Sequence, residues 1–458
     1  MKVSHFIILS LGVLYLNACA TKVENEFSLF EVDPTKPEIQ DLIDFPQISS
    51  PYLANLSSRT VYVPIQSAYD KKYFEPWNYT KPPFDKKSIL WPFSSYTYDK
   101  SFGENLKPLP KEWFAHMKRI GNYENYASLN KKAISLQYLN LRNFPTSKPV
   151  LKNPNIAGEG FPFDYVQNSG IHANEPLFVS HLSIDGNWAY VFTAYATGWV
   201  KKNNLSFIKD TVASHWQEAR QIELLDEHYA IKDLQGNFIF NSRVGVRLPL
   251  ISVEKYFYIA LAISSGKNGS AIYKSVKIPK NIAQEGKLLL NHKNIEGIMN
   301  LMLKSHYGWG GLYEERDCSS MLRDLYAPFG IWLPRNSSQQ AKVGKIISLK
   351  DLSLEDKKKV ILAEGVPFET LLHKKGHILL YLGEYNGEIT VLHNIWGVKT
   401  IKDGIEGRKV IGRVVISSLE LGKERKDYNQ DRGILSGLDS MNIITQEADR
   451  PLILSDNI

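Results

Sequence analysis

Alternating apolar and polar residues run through the middle of the chain and predict two small β-barrels, over residues 141–212 and 213–288. An Asp-Gly turn lies within the first block, and a Gly-Asn turn lies within the second. This turn spacing suits compact barrels better than alternating helices and strands. The runs that carry the pattern are Asn174–Ser183, Asp185–Phe192 and Gly198–Val200 in the first block, and Tyr229–Asp233, Gly245–Pro249 and Tyr256–Ile263 in the second.

A helical pattern replaces the alternation from Asn294 onward, with apolar residues at three-and-four spacing. A glycine-rich turn, Tyr307–Gly311, precedes a second helix, whose apolar face includes Met321 and which Pro328 ends. Two strands then meet at an Asn-Gly turn, which is a strong hairpin signal. Helices followed by strands predict a multidomain α+β chain with its last large domain at residues 289–420.

The two ends of the chain show no regular period. Residues 19–52 are rich in proline and polar side chains and predict a spacer. Residues 53–140 combine aromatic-proline pairs with a helical run at Lys111–Lys118, which predicts an irregular, mainly helical domain. Residues 421–458 are rich in charge and predict a loosely ordered tail or a clasp on the body.

The net charge is positive but dilute, since 55 Lys and Arg against 48 Asp and Glu give +7 over 458 residues. Such a balance suits an anionic cell wall or membrane surface. No basic run is interleaved with aromatic residues, so we expect no nucleic-acid partner. The sequence has no zinc-ligand spacing, phosphate loop or serine-nucleophile elbow, so we expect neither metal nor other cofactor. We expect a monomer.

The chain has two cysteines, and the first, Cys19, follows an apolar N-terminal segment. Lys2, about ten apolar residues and a small residue before the cysteine are typical of a secretory signal over residues 1–18. We expect Cys19 to carry the acyl chains of a bacterial lipoprotein, which would tether the exported body to a membrane. Ala20 is compatible with the periplasm-facing outer membrane of a Gram-negative cell. A plain secretory signal with an incidental cysteine is the alternative.

The second cysteine, Cys318, lies at the predicted start of a helix, whose partial positive charge favours the thiolate. A thiolate that transfers an acyl group needs an imidazole to hold its proton and a third group to orient that imidazole. His377 and His393, on the predicted hairpin, are the candidates. His373 is a rival base, which we expect on a solvated loop, and Trp309 is the candidate for a wall of the cleft.

The hairpin pairing decides whether the two histidines can meet. Counting outward from Asn386-Gly387 sets Leu380 opposite His393, which leaves His377 three places out of register. Side chains share one face of a hairpin when this offset is even. The pairing of the two histidines therefore requires a bulge or a slip of one residue.

Short motifs across the chain carry a family resemblance. The Cys-His-His set resembles the centre of NlpC/p60 cell-wall cysteine peptidases in its order and spacing, which the residues Asp317–Ser319, His377–Gly383 and His393 carry. The stretch after the nucleophile helix, Phe329–Ser337 with Gln340, also resembles this family. Upstream segments look like the bacterial SH3-like domain and the N-terminal clip-like stabilising domain of some members, namely Arg142–Thr146, Phe161–Gln167, Asp185–Trp188, Gly198–Val200 and Gln66–Trp77. The barrel expected at residues 213–288 would be a second SH3-like domain.

The resemblance implies a papain-like domain that hydrolyses the bond between γ-D-glutamate and meso-diaminopimelate in the stem peptides of peptidoglycan. In that family reading Cys318 attacks the carbonyl, while His377 acts as base and then as acid. His393 would orient His377, and the backbone amide of Cys318 would help to hold the oxyanion.

The resemblance also implies how the end of the substrate is read. Asp317 and Ser319 would bind the free amine of the first alanine in the stem. Tyr195 is the match for a barrel tyrosine that assists them.

Two other functions fit parts of the sequence. One is a non-catalytic lipoprotein that binds peptidoglycan through its barrels, although the intact set of one cysteine and two histidines argues against it. The other keeps the papain-like chemistry but acts as an amidase or acyltransferase.

Overall fold

The computed structural model describes residues 30–31, 39–56, 66–266 and 269–446. In chain order it contains a mainly helical N-terminal region, two compact β-units and a C-terminal domain with helices on a mixed sheet. The multidomain α+β class expected from the sequence is confirmed. Within the described ranges, no helix has the length and apolar content needed to cross a membrane.

Short helices and aromatic side chains build the N-terminal region. Trp77 is fully buried, and its indole N–H donates to the carbonyl of Ala133 at 2.8 Å, which fixes this region on the first β-unit. The described residues of this region include one strand and five helices: β1 (Phe30–Glu31), α1 (Asp41–Asp44), α2 (Gln66–Tyr73), α3 (Lys86–Ile89), α4 (Pro92–Ser95) and α5 (Lys111–Ile120). Short 3-10 helices lie at Ser50–Asn55, Glu75–Asn78 and Tyr123–Asn125.

Residues 39–56 pack on the C-terminal domain, so the expected spacer is wrong for this stretch. The Tyr52 ring lies 5.1 Å from that of Tyr385, and Asp41 Oδ2 accepts hydrogen bonds from the amide and hydroxyl of Ser418. Most apolar side chains of the stretch, including Leu42, Phe45 and Leu53, are buried although they follow no regular period, because one-turn helices and 3-10 turns carry them. Such turns are too short to leave a periodic signal.

The first β-unit begins at Lys131, ten residues before the expected boundary. Its sheet has the order β4-β3-β7-β6-β5-β2-β8, in which the first strand pairs with residues far along the chain. Local pattern does not show such pairing. The strands are β2 (Lys131–Ser135), β3 (Leu139–Arg142), β4 (Gln167–Ile171), β5 (Pro176–Leu182), β6 (Trp188–Phe192), β7 (Thr197–Lys201) and β8 (Leu205–Phe207), with a 3-10 helix at Lys202–Asn204.

Helix α6 (Asp210–Glu218) leads into the second β-unit. A sheet of order β14-β13-β12-β9-β15 and a separate hairpin enclose its apolar core. The strands are β9 (Gln221–Leu224), β10 (Ala230–Lys232), β11 (Phe238–Asn241), β12 (Arg247–Val253), β13 (Phe257–Ser265), β14 (Ala271–Pro279) and β15 (Ala283–Glu285).

The C-terminal domain packs its helices on both faces of a sheet of order β1-β20-β19-β18-β17-β21-β16. Its helices are α7 (His292–Met302), α8 (Cys318–Tyr326), α9 (Ser337–Gln340), α10 (Leu354–Glu364) and α11 (Ile434–Gly437), with 3-10 helices at Trp309–Glu314, Ala327–Phe329 and Gln430–Arg432. Its strands are β16 (Lys345–Ser348), β17 (Thr370–Lys374), β18 (His377–Tyr385), β19 (Glu388–Lys402), β20 (Ile405–Ser418) and β21 (Leu438–Ile443).

Residues 421–446 belong to this domain, so the expectation of a loosely ordered tail is wrong for them. Strand β21 lies between β17 and β16, and Met441 and Ile443 are buried. The segment mixes polar residues with its apolar ones, and its partners lie about 70 to 100 residues earlier. The charged residues of the segment therefore prevented the prediction of this core strand from the sequence.

Candidate active site

The glycine-rich turn before α8 is clamped on the first β-unit. Gly310 and Gly311 have φ values of 60° and 88°, a region that favours glycine. A Cβ atom on Gly310 would lie 2.5 Å from the carbonyl oxygen of Gln167, and one on Gly311 would lie 2.6 Å from the amide of Gly170. This close approach of two backbones fixes the position at which α8 begins.

Asp317 caps the helix that begins at Cys318. Its Oδ1 accepts from the amide of Ser320 at 2.8 Å, and the Ser320 hydroxyl accepts from the amide of Asp317 at 2.9 Å. This reciprocal pair is a capping box, and such a cap contributes about 1 kcal/mol to the stability of a helix. The first amides of a helix have no acceptor within it. The amide of Cys318 is therefore available to an external oxygen.

Cys318 and His377 are both neutral in the resting protein. Burial, followed by the charge of Asp317, raises the pKa of the Cys318 thiol to about 12, although the amide of Ile378 donates to it. Burial, followed by the charge of Lys374, lowers the pKa of His377 to about 3. Burial thus outweighs the helix dipole, and the thiolate that we expected from the sequence is not the resting form.

His377 and His393 are hydrogen-bonded, with 2.8 Å between His377 Nε2 and His393 Nδ1. His393 Nε2 lies 3.1 Å from the Ser417 hydroxyl, which itself donates to the carbonyl of Ser418. Ser417 must therefore accept from His393 Nε2–H. A neutral imidazole has one N–H, so His393 Nδ1 accepts from His377 Nε2–H. This order leaves Nδ1 of His377 as the unprotonated nitrogen.

A bulge in the hairpin brings the two histidines together. The structure pairs Leu380 with Leu392, one place from the simple count, because the register shifts between Tyr381 and Gly383. The expected bulge is confirmed, and the offset of the histidines becomes two, which puts both on one face of the sheet.

Asn55 holds this bulge from the N-terminal region. Its Nδ2 donates to the carbonyls of Leu382 and Glu384 at 2.9 and 3.0 Å. Gly383 has a φ of 95°, and a Cβ atom there would lie 2.5 to 2.6 Å from side-chain atoms of Asn55. A residue outside the C-terminal domain therefore helps to set the pairing of its histidines.

Asp317 and Ser319, the expected readers of the substrate amine, lie beside a buried guanidinium. Arg335 donates to both carboxylate oxygens of Asp317, at 3.1 and 2.7 Å, to the hydroxyl of Ser319 at 3.0 Å and to that of Ser169 at 2.8 Å. Burial alone would raise the pKa of Asp317, but Arg335 and Ser320 lower it below its usual value. Asp317 is therefore an anion that is already paired.

Tyr195 contacts a buried cluster of charged residues, two of which, Arg323 and Asp324, lie on α8. Its hydroxyl donates to Glu175 at 2.8 Å, and the Arg323 guanidinium lies 3.7 Å from the centre of its ring. The carboxylate of Asp324 accepts from Arg316 at 2.7 Å in the same cluster. The structure does not bring Tyr195 to Asp317, because the turn that carries Tyr195 packs against this cluster.

Trp309 packs on the first β-unit. Its indole N–H donates to the carbonyl of Asp164 at 2.9 Å, and its ring lies 5.1 Å from Phe163 and 5.3 Å from Tyr165. The side chain is half-buried. A role as a wall of the cleft stays a prediction.

Tyr307 is a neighbour of the nucleophile that the sequence reasoning missed. Burial, followed by the charges of Cys318 and Asp317, raises the pKa of its phenol well above the usual value. Its backbone is held by a hydrogen bond to the carbonyl of Gly412 at 2.8 Å. Its position as the first residue of the glycine-rich turn was the signal that could have identified it.

The rival base, His373, has a different partner. It lies on β17 rather than on a solvated loop, and its Nδ1 is 2.7 Å from Asp439 on β21. It is 9% exposed. This placement supports His377 rather than His373 as the base.

Other expectations concern a metal and the N-terminus. In the part of the chain that the structure describes, no group of three or more His, Cys, Asp or Glu residues is arranged to hold a metal ion. Cys19 and the expected signal at residues 1–18 lie outside the described residues.

Three family models match the sequence. Residues 304–402 match the NlpC/P60 family, residues 8–126 match its N-terminal stabilising domain, and residues 149–201 match an SH3 domain of the SH3b1 type. The second β-unit, which the sequence also predicts to be SH3-like, lies outside these matches. No curated protein matches the sequence.

Solved structures of NlpC/P60 proteins resemble the fold. An NlpC/P60 endopeptidase from Photobacterium damselae subsp. piscicida is 23% identical, with a TM-score of 0.75 over 90% of this chain and 99% of that one. An NlpC/P60 family protein from Bacillus cereus is 16% identical, with a TM-score of 0.42 over 69% of this chain and 99% of that one. The order of the matched domains agrees with the order seen in the structure. The chain carries an NlpC/P60 domain, and the stabilising domain of that family and an SH3 domain precede it.

Proposed function

We propose that the protein is a cysteine endopeptidase that cleaves the bond between γ-D-glutamate and meso-diaminopimelate in peptidoglycan stem peptides. The observation that carries this proposal is the hydrogen bond between His377 and His393. The residue after His377 on the same strand, Ile378, donates its amide to the Cys318 thiol. The match to the NlpC/P60 family makes peptidoglycan the first substrate to test.

The reaction begins with proton transfer, because the thiol and the imidazole are both neutral at rest. His377 Nδ1 takes the proton of Cys318 as the sulfur attacks the carbonyl carbon of γ-D-glutamate. His393 accepts the Nε2–H of His377 and stabilises the imidazolium that forms. The imidazolium then protonates the leaving amine. Water hydrolyses the thioester, with His377 again acting as base.

We expect two donors to the oxyanion. One is the amide of Cys318 at the start of α8, and the other is the Tyr307 phenol, whose electrostatic environment includes Cys318. A single such donor is worth roughly 3 kcal/mol in the transition state. A phenol with a raised pKa keeps its proton and can donate it at neutral pH.

The free amine of the first alanine would bind at Asp317. Its Oδ2 has one partner among the described residues, Arg335, so acceptor capacity remains for an ammonium group. Ser319 supports this carboxylate by donating to its Oδ1 at 3.0 Å. Tyr165, whose ring contacts Trp309 beside the glycine-rich turn, would assist Asp317 in place of Tyr195.

The cellular setting is part of the proposal. Acyl chains on Cys19 would tether the enzyme to the cell envelope. The proposed site is the periplasm-facing side of the outer membrane. Metabolic labelling with a fatty-acid analogue tests this anchor, because Cys19→Ser should abolish labelling while Cys318→Ser should leave it intact.

Product analysis tests the proposed reaction. The purified protein and Cys318→Ala are incubated with muropeptides, and the products are identified by mass spectrometry. We expect a cut after D-glutamate with the parent alone. Equal product from both proteins contradicts Cys318 as nucleophile, release of another amide indicates an amidase, and binding without product indicates a non-catalytic protein.

Acetylation of the first alanine tests the amine site separately. The modified stem should lose cleavage if Asp317 binds an ammonium group. Unchanged rates on the acetylated stem contradict that contact but leave the proposed bond intact.

A further inference from the structure

Lys374 lies next to the catalytic histidine on the neighbouring strand. It pairs directly with His377 in the ladder between β17 and β18, and directly opposed side chains point to the same face. Its ammonium group donates to the carbonyls of Gly433 at 2.6 Å and Arg432 at 3.3 Å. The side chain therefore runs from the active site towards the loop before α11.

Three more cations lie around this ammonium group. Lys399 and Arg408 are directly paired on β19 and β20, where the hairpin continues beyond His393. Arg408 donates to the carbonyl of Ala157, in the first β-unit, at 3.1 Å. Arg432 lies on the 3-10 helix before α11. We refer to Lys374, Lys399, Arg408 and Arg432 as the basic cluster.

Two carboxylates, Glu406 and Glu159, act on Lys399 and Arg408 and balance the positive charge of the four cations only in part. Burial, followed by the charges of Lys399, Arg432 and Arg408, lowers the pKa of Lys374 to about 8. The carboxylate of Glu406 is 4.0 Å from Arg408 and 3.8 Å from Arg432, both at the outer limit of an ion pair. A bound anion would lower the repulsion between the four cations.

The chemistry of the reaction indicates what passes this cluster. His377 must reach the amine that leaves, so the residue attached to that amine extends past His377 and away from Cys318. Lys374 is the partner of His377 on that strand pair, and the extended β19–β20 hairpin forms the neighbouring wall. In the proposed reaction the leaving residue is a diamino acid with two carboxyl groups.

We propose that the basic cluster is the subsite for the leaving residue and that it selects diaminopimelate by binding the carboxylate at its distal centre. Arg408 and Lys399 bind this carboxylate, and Lys374 orients it beside His377. This assignment rests on the proposed function, because it takes the leaving residue to be a diamino acid. Lysine has the same amine chain without the distal carboxylate, so it lacks the group that the cluster binds.

Paired substrates test the assignment. Cleavage rates are measured for the tripeptide L-Ala-γ-D-Glu-meso-diaminopimelate and for the same tripeptide ending in L-lysine. Lys399→Gln and Arg408→Gln remove one charge each, and Lys402→Gln, an exposed lysine at the end of β19, is the matched control. Thermal melting of each variant verifies folding.

We expect Lys399→Gln and Arg408→Gln to raise KM for the diaminopimelate peptide about tenfold, with kcat nearly unchanged. Cleavage of the lysine peptide should stay at the parental level, so the preference for diaminopimelate falls by about tenfold. Lys402→Gln should match the parent. An unchanged preference, or an equal loss on both peptides, overturns the subsite.

Binding to Cys318→Ala separates this proposal from the proposed function. Calorimetry with the intact diaminopimelate tripeptide should give a Kd that rises about tenfold when Arg408→Gln is added to Cys318→Ala. If the parent cuts neither peptide but binding depends on Arg408, the proposed bond is wrong and the subsite stands. If binding is absent, or does not depend on the cluster, the subsite is overturned whichever bond is cut.

Discussion

Gly383→Ala tests whether the bulge in the β18–β19 hairpin sets the pairing of the catalytic histidines. A side chain at a φ of 95° costs about 1–3 kcal/mol in backbone strain. The new Cβ atom would also lie 2.5 Å from Asn55 Nδ2, so Asn55 must move. This movement breaks two hydrogen bonds worth about 1 kcal/mol each. The free energy of unfolding should fall by about 3–5 kcal/mol.

Gly387→Ala is the matched control in the same hairpin. Gly387 has a φ of 79°, but no described atom lies within 4 Å of the position of a Cβ atom there. Its substitution should cost only the strain, about 1–3 kcal/mol, and should leave kcat/KM unchanged. Gly383→Ala should lower kcat/KM by about 100-fold, since a shift of about 1 Å in a catalytic group costs that much.

Urea denaturation and kinetics with a muropeptide measure both effects. Adding Asn55→Gly to Gly383→Ala removes the clash but keeps the strain, so the two substitutions should be less than additive in stability. Equal stability of the two glycine variants, together with full activity of Gly383→Ala, would refute the role of the bulge.

Three further predictions concern the reacting groups. His393→Ala should lower kcat by about 100-fold or more, because His377 loses the acceptor for its Nε2–H. Ser417→Ala should lower kcat by less, and equal effects of the two variants in steady-state kinetics contradict the proton order. Tyr307→Phe should lower kcat by about 100-fold with little change in KM if the phenol donates to the oxyanion, and a change confined to KM argues for substrate binding instead. Burial lowers the pKa of His377 to about 3 in the folded protein, so below about pH 6.5 the unfolded chain binds more protons and stability falls as the pH drops towards 3. In urea titrations between pH 7 and 5, the parent should therefore lose about 1 kcal/mol per pH unit more than His377→Gln, and parallel curves contradict the lowered pKa.

The pattern of short motifs identified three residues that the structure brings to neighbouring elements, Cys318, His377 and His393. The need for a bulge between His377 and His393 follows from strand counting around one Asn-Gly turn, whereas the grouping of both with Cys318 rests on the family resemblance. The contacts of Ser417 with His393 and of Asn55 with the bulge could not be predicted in this way. Ser417 lies on the next strand, and Asn55 lies in a region without a regular period. Contacts of this kind depend on the packing of distant segments, which local pattern does not encode.

Two expectations failed for a common physical reason. The helix dipole predicts a thiolate at Cys318, but burial beside an anionic Asp317 outweighs it. The charge content of residues 421–458 predicts a loosely ordered tail or a clasp on the body, but within the described part, residues 421–446, Met441 and Ile443 fill the sheet core. In both cases the tertiary environment, which the sequence does not display, decides the result.

Trapping the covalent intermediate is the most direct test of the account. The parent is mixed with a diaminopimelate tripeptide, quenched in acid within milliseconds, and analysed by intact-mass and peptide mass spectrometry. The account predicts a thioester of the L-Ala-γ-D-Glu moiety on Cys318 that is absent in Cys318→Ala. An adduct on another residue, or turnover by Cys318→Ala without an adduct, would contradict it.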